Sequence, residues 1–130
     1  MDIVVGFDGS SPAMKALTLA KMHAKAFDAK IHLVTSLRGG TGERQKDIDE
    51  AKGTLKSAKK LVEDDGISCE EHLLIRGVDP GEDLVEFAEE KKADIIFIGV
   101  LKTSKVAKLL LGSNAQYVIL QAPCPVVTVK

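Results

Sequence analysis

Strand patterns alternating with helix patterns along the whole chain predict an α/β fold, an open parallel five-stranded sheet with helices on both faces. Three observations carry that expectation. The strand patterns are short and nearly continuous in apolar residues, as in Ile3-Val4-Val5 and Ile95-Ile96-Phe97-Ile98, which suits strands covered on two sides. The segments between them repeat apolar residues at spacings of three and four. Glycine or aspartate punctuates the junctions, as at Asp8-Gly9, Arg76-Gly77 and Gly99. With 130 residues and no linker, internal repeat or low-complexity tract, one domain spanning 1–130 is expected.

Asp2 to Asp8 reads as the first strand. Ser11-Pro12 then opens a helix, serine as a cap and proline preorganised for the first turn, with Met14, Leu17, Ala20, Ala24 and Phe27 as its apolar stripe. Ile31 to Leu37 is the second strand, and Arg38-Gly39-Gly40-Thr41-Gly42 a loop mobile by composition. The charged segment after it carries Ile48, Ala51, Leu55, Ala58 and Val62 at helical spacing, with Gly66 placed to end it. Ile67 to Ile75 is the third strand. Gly77-Val78-Asp79-Pro80 turns into a helix with Leu84, Phe87 and Ala88 on its apolar side, and Asp79-Pro80 is expected at the rim of any site there. The fourth strand runs from Ala93 to Gly99, a helix covers Asn114 to Leu120, and Pro125 to Val129 is the last strand.

In such sheets ligands bind beyond the carboxyl ends of the strands, where the strand order reverses. Asp8, Thr35 to Arg38, Arg76-Gly77 and Gly99 should share that edge. A strand ending in Gly99 and a helix opened by Gly112-Ser113 describe a place where backbone N–H groups converge on a phosphate, so a nucleotide is the first ligand to consider. A Gly-Ser pair is also an ordinary helix cap, and both readings stand together.

Composition narrows the alternatives. A net charge of -1 argues against a general nucleic-acid binder. Aromatic residues at 4% with no Trp give little support to base stacking on single strands. No apolar stretch approaches a membrane span, and the first strand pattern starts at once, so no membrane or signal segment and a cytoplasmic location are expected. Cys69 and Cys124 read as two reduced thiols. His23, His32 and His72 have no metal-ligand spacing and read as structural or surface residues, so no metal site is expected.

At Ile3-Val4-Val5-Gly6-Phe7-Asp8-Gly9-Ser10, at Gly77-Val78-Asp79-Pro80, at Ala93 to Gly99, at Leu109-Leu110-Leu111-Gly112-Ser113 and at Ala122-Pro123-Cys124-Pro125-Val126-Val127, the chain resembles the universal stress proteins. The likeness covers essentially the whole length. It implies a Rossmann-like or flavodoxin-like core of the adenine-nucleotide α-hydrolase-like kind, binding ATP or AMP, with magnesium able to bridge the phosphates. Nucleotide-binding members carry Gly, two residues, Gly, nine residues, then Gly with Ser or Thr. Here Gly99, Gly112 and Ser113 keep the spacing, and Lys102 replaces the middle glycine. Lysine cannot readily adopt the positive φ that glycine allows there, yet its ammonium can serve phosphates as a point charge. Binding that is kept but altered is therefore expected.

By the same resemblance, Gly6 and Asp8 face the adenine or ribose, Asp8 having a turn or cap role as its alternative, and the Val34 backbone meets the adenine edge. Ribose is placed near Gly99 and Lys102. Phosphates are placed against Gly112, Ser113, Asn114 and Ala115, with Lys105 close by. No positioned base or nucleophile is evident, so slow ATP hydrolysis at most is expected, and catalytic residues are not assigned. The alternative is a dimeric stress protein that binds no nucleotide and acts through protein contacts. An α-hydrolase-like enzyme is disfavoured by Phe7-Asp8-Gly9-Ser10 where a Ser-Gly-Gly pyrophosphate loop would stand. In either leading case a homodimer through the edge strand Val126 to Val129 is expected.

Overall fold

The computed structural model describes residues 1–40, 45–101 and 112–130. Lys102, Lys105, the leucine run 109–111 and positions 41 and 42 of the glycine loop lie outside the described residues. The described elements alternate as β1 (Asp2–Gly6), α1 (Ser11–Phe27), β2 (Lys30–Leu37), α2 (Gln45–Asp64), β3 (Cys69–Ile75), α3 (Pro80–Glu90), β4 (Ile95–Gly99), α4 (Ser113–Gln121) and β5 (Val126–Val129). All five strands are parallel, in the order β3-β2-β1-β4-β5. Two such orders of advance meet at β1, so the strand order reverses between β1 and β4.

The two faces of the sheet carry separate cores. Ile3, Val5, Leu33 and Phe97 point to α1 and α2, meeting Leu17, Leu55 and Val62. Val4, Val34, Ile96 and Ile98 point to α3 and α4, meeting Leu84, Phe87 and Val118. Ile3, Val4, Val5, Ile96 and Phe97 are fully buried, which explains strands without apolar–polar alternation. Each such side chain contributes about 1.5–3 kcal/mol.

Three local expectations are corrected. The cap of α1 is Ser10, not Ser11: Ser10 Oγ accepts from the Ala13 amide at 3.3 Å, and Ser11 and Pro12 are already helical. The buried stripe of α1 is Ala13, Ala16, Leu17, Ala20 and Ala24, whereas Met14 and Phe27 face outward. Alanines let this helix lie close on the sheet, so the contact face follows small residues rather than bulky ones. In α2 only Leu55, Ala58 and Val62 are buried. Ile48 and Ala51 are half-buried. Gly66 ends α2 at φ 76°, as expected for a glycine beyond a helix C-terminus.

Candidate functional site

A cleft of about 290 Å³ opens at the carboxyl ends of β1 and β4, where the strand order reverses. Its floor is Gly6, Val34 and Ile98, and one wall is the first turn of α3, at Pro80, Gly81 and Leu84. The opposite wall is the first turn of α4, at Asn114 and Ala115, and Asp8 stands at the mouth.

Two glycines bring backbone close together here. A Cβ on Gly99 would lie 2.4 Å from the Pro12 carbonyl carbon and 2.5 Å from the Ala13 nitrogen, so the end of β4 needs glycine to admit the start of α1. A Cβ on Gly81 would lie 2.8 Å from the Asn114 carbonyl oxygen, so glycine also lets the amino ends of α3 and α4 touch. The Gly81 amide donates to Asn114 Oδ1 at 2.9 Å, so this side chain caps α3 across the contact. Gly6 is less constrained, with Leu84 and Ile98 methyls 3.1 and 3.2 Å from its virtual Cβ.

The first turn of α4 supplies the polar feature of the cleft. Gly112 occupies the N-cap position at φ −61°, ψ 157°, and has no side chain with which to cap the helix. The first bond of the helix ladder runs from the Gln116 amide to the Gly112 carbonyl, 3.0 Å. The amides of Ser113, Asn114 and Ala115 therefore have no partner among the described residues, and the helix dipole adds partial positive charge there. Asn114 and Ala115 line the cleft, whereas Gly112 and Ser113 sit just outside its wall.

Asp8 is the one formal charge on the described wall. Its Oδ1 accepts from the Ser10 amide at 2.9 Å, closing a turn in which Gly9 takes φ 80°. The turn role and the cleft position thus coexist. Val34 lines the cleft, and its carbonyl accepts from the Phe7 amide at 2.8 Å.

Beneath the cleft lies a polar network that sequence reading did not find. Asp83 is fully buried, accepts from Ser36 Oγ at 2.6 Å, and pairs with Arg76 Nε. Arg76 also reaches Glu90 at 2.9 Å. Ser36 lines the cleft at the end of β2, so this chain of bonds ties β2, β3 and α3 together under the site. An aspartate in the first turn of a helix ordinarily reads as a dipole partner, and nothing in its spacing reveals that it is buried. At the rim, Asp79 pairs with Arg38 at 3.0 Å instead of capping α3.

Both thiols are held protonated, chiefly by burial: Cys69 is pushed up to about 12 and Cys124 is raised above its ordinary value. No helix among the described residues is long and apolar enough to cross a membrane.

Comparison with known proteins points the same way. A model of the universal stress protein family matches residues 1–130. A universal stress protein of Methanocaldococcus jannaschii is 35% identical, the match covering 98% of this chain and 81% of the relative. The solved structure of a universal stress protein from Archaeoglobus fulgidus superposes with a TM-score of 0.90 at 41% identity, covering 100% of this chain and 93% of that one. The structure of the Archaeoglobus fulgidus universal stress protein in complex with dAMP gives a TM-score of 0.85 at 39% identity, covering 100% and 98%.

Proposed function

This chain belongs to the universal stress protein family, and we propose that its cleft binds an adenine nucleotide, ATP or AMP, in a sensing or regulatory role. The observation that carries the reading is that the Asn114 and Ala115 amides, without partners among the described residues, stand on the wall of a cleft at the strand-order reversal. That is the arrangement that holds phosphate on backbone amides and a helix dipole. The dAMP complex of the Archaeoglobus fulgidus relative, at 39% identity, supports the ligand class.

In this reading adenine lies toward Asp8 and Val34, and ribose toward Gly99. Phosphate lies against the amides of Ser113, Asn114 and Ala115 next to Gly112, with Lys102 and Lys105 adding charge and Gly6 leaving room on the floor. Magnesium bound with a longer nucleotide would offset the charge of its phosphates. The described wall pairs no nucleophile with a base, so the reading is binding, with slow hydrolysis at most. Two unpaired thiols suit a reducing compartment and support a cytoplasmic location.

We also propose a homodimer through β5. That strand is at the edge of the sheet, and the outer face of α4 leaves Tyr117, Ile119 and Leu120 exposed, Leu120 by 77%. An apolar helix face next to an unpaired strand edge favours a second copy. Light scattering at micromolar concentration should give a dimer mass that Val127→Pro lowers; a monomer mass unaffected by that change overturns the dimer.

Calorimetric titration with AMP and with ATP, with and without magnesium, tests the binding. Saturable heat is expected with protein at about 100 μM. Absence of heat with every nucleotide overturns the reading in favour of a dimeric module that works through protein contacts. Lys102→Gly separates the two: binding gained only in that variant assigns the parent to the second class.

A further inference from the structure

We propose that His32, Glu70 and His72 form a site for a divalent transition metal of the zinc class, separate from the nucleotide cleft. These residues are far apart in sequence, but the parallel register of β2 on β3 sets His32 beside Glu70 and Val34 beside His72. All three side chains then rise on the α3 face of the sheet. His32 Nδ1 lies 3.2 Å from His72 Nε2, and Glu70 Oε2 lies 3.5 Å from each. A tetrahedral ion with bonds of about 2.0–2.1 Å has ligand–ligand edges of about 3.3 Å. The three atoms already outline one face of such a tetrahedron.

Proton counting points to a cation as well. His32 Nε2 contacts Asp2 Oδ1 at 2.9 Å, and a carboxylate only accepts, so the proton of neutral His32 sits on Nε2. Nδ1 therefore turns a lone pair toward the cluster. Glu70 Oε2 is another acceptor, and neutral His72 has at most one proton to offer the two of them. With both imidazoles neutral, one acceptor–acceptor contact remains without a proton, and a metal ion satisfies all three ligand atoms together.

The surroundings match a metal site in their second layer. Asp2 behind His32 is the carboxylate–histidine arrangement that orients imidazole ligands and raises their basicity. Lys30 Nζ holds Glu70 Oε1 at 2.6 Å, leaving Oε2 to face the histidines. Phe87 on α3 covers one side, its ring centroid 4.7 Å from that of His72 and 6.0 Å from that of His32. His32 is buried while Glu70 is about half exposed, which leaves the fourth vertex to solvent water. Asp2 and Glu70 balance the charge of a divalent ion, with Lys30 and the Lys91 ammonium over Phe87 as the nearby cations. Two imidazole nitrogens and one carboxylate suit Zn²⁺ and Co²⁺ rather than Mg²⁺ or Ca²⁺, which prefer oxygen shells.

Titration of the full, tag-free chain with Co²⁺ and Zn²⁺ tests this without nucleotide present. One ion per chain is expected at protein concentrations of about 50 μM. The Co²⁺ form should show intense visible bands of tetrahedral type that Zn²⁺ abolishes. His72→Gln and Glu70→Gln should each weaken Zn²⁺ binding by more than about tenfold, and Asp2→Asn by about tenfold. His23→Gln should leave it unchanged. Glu70 is exposed enough that Glu70→Gln folds even if His72→Gln does not, with circular dichroism checking each. Lack of saturable uptake, or uptake that survives Glu70→Gln with unchanged affinity, overturns the proposal.

Discussion

Gly99→Ala tests whether the first glycine of the motif serves packing before it serves a ligand. The added Cβ would meet the Pro12 carbonyl carbon at 2.4 Å, the Ala13 nitrogen at 2.5 Å and the Pro12 oxygen at 2.7 Å. Ordinary carbon–carbon contact begins near about 3.5 Å, so the shortfall is about 1 Å. All three atoms are backbone in the first turn of α1, so no side chain can rotate away. Either the end of β4 or the whole amino end of α1 must move, against a core in which Ala13 and Ala16 are buried. Overpacking of this kind costs about 1–3 kcal/mol, and a clash with backbone belongs at the upper end. A domain of this size loses about 3–5 °C of Tm per kcal/mol, so the melting temperature should fall by about 10 °C. Gly112→Ala is the control, since no described residue lies within 4 Å of its Cβ and φ is −61°. Its only cost is the weaker N-cap preference of alanine, at most about 1 kcal/mol. Thermal unfolding by circular dichroism, without nucleotide, measures both. If Gly99→Ala melts within about 2 °C of the parent, the steric reasoning is wrong.

Asp83→Asn removes the buried charge between Ser36 and Arg76 and should cost about 2–3 kcal/mol, less than a fully buried pair because Arg76 is partly exposed. Urea unfolding should show a lower midpoint with an unchanged slope, and an unchanged midpoint would refute the role of the network. The folded protein holds His72 below its ordinary value of 6.5, so the unfolded chain binds the extra proton first. Stability from that group is complete above pH 6.5 and is lost as pH falls through the lowered folded value. Urea midpoints measured downward from pH 7 should therefore fall, and His72→Gln should flatten that decline. Cys69, buried with its thiol pushed up to about 12, should resist a disulfide reagent in the native protein while Cys124 reacts first. Two equally fast thiols would contradict that difference in burial.

Much of the fold was legible because its signals are local. Continuous apolar runs such as Ile3-Val4-Val5 can be satisfied only between two layers, and Gly66 marks a helix end by its own backbone freedom. The strand-end edge followed from the same alternation, and Asp8, Thr35, Ser36 and Gly99 of that edge line one cleft, whereas Arg76 and Gly77 do not. In α1 the spacing located Leu17, Ala20 and Ala24 correctly, but Met14 and Phe27 face outward because close approach to the sheet selects Ala13 and Ala16 for that face. Ser36 and Arg76 were placed at the strand-end edge, but their contacts through Asp83 were not legible, because a polar residue reveals its partner only when distant strands are set in register. His32 and His72 make the same point, since two residues forty positions apart share no spacing that a linear pattern can read.

The amino-acid sequence by itself determined the alternation of strands and helices, the buried character of the sheet and the glycine-marked edge where a ligand would sit. These depend on periodicity and backbone preference within a few residues. Tertiary structure alone decided which polar groups face one another: Asn114 on the Gly81 amide, Asp83 on Arg76, and both histidines on Glu70. Those contacts depend on strand order and register, which are set by how the whole chain packs.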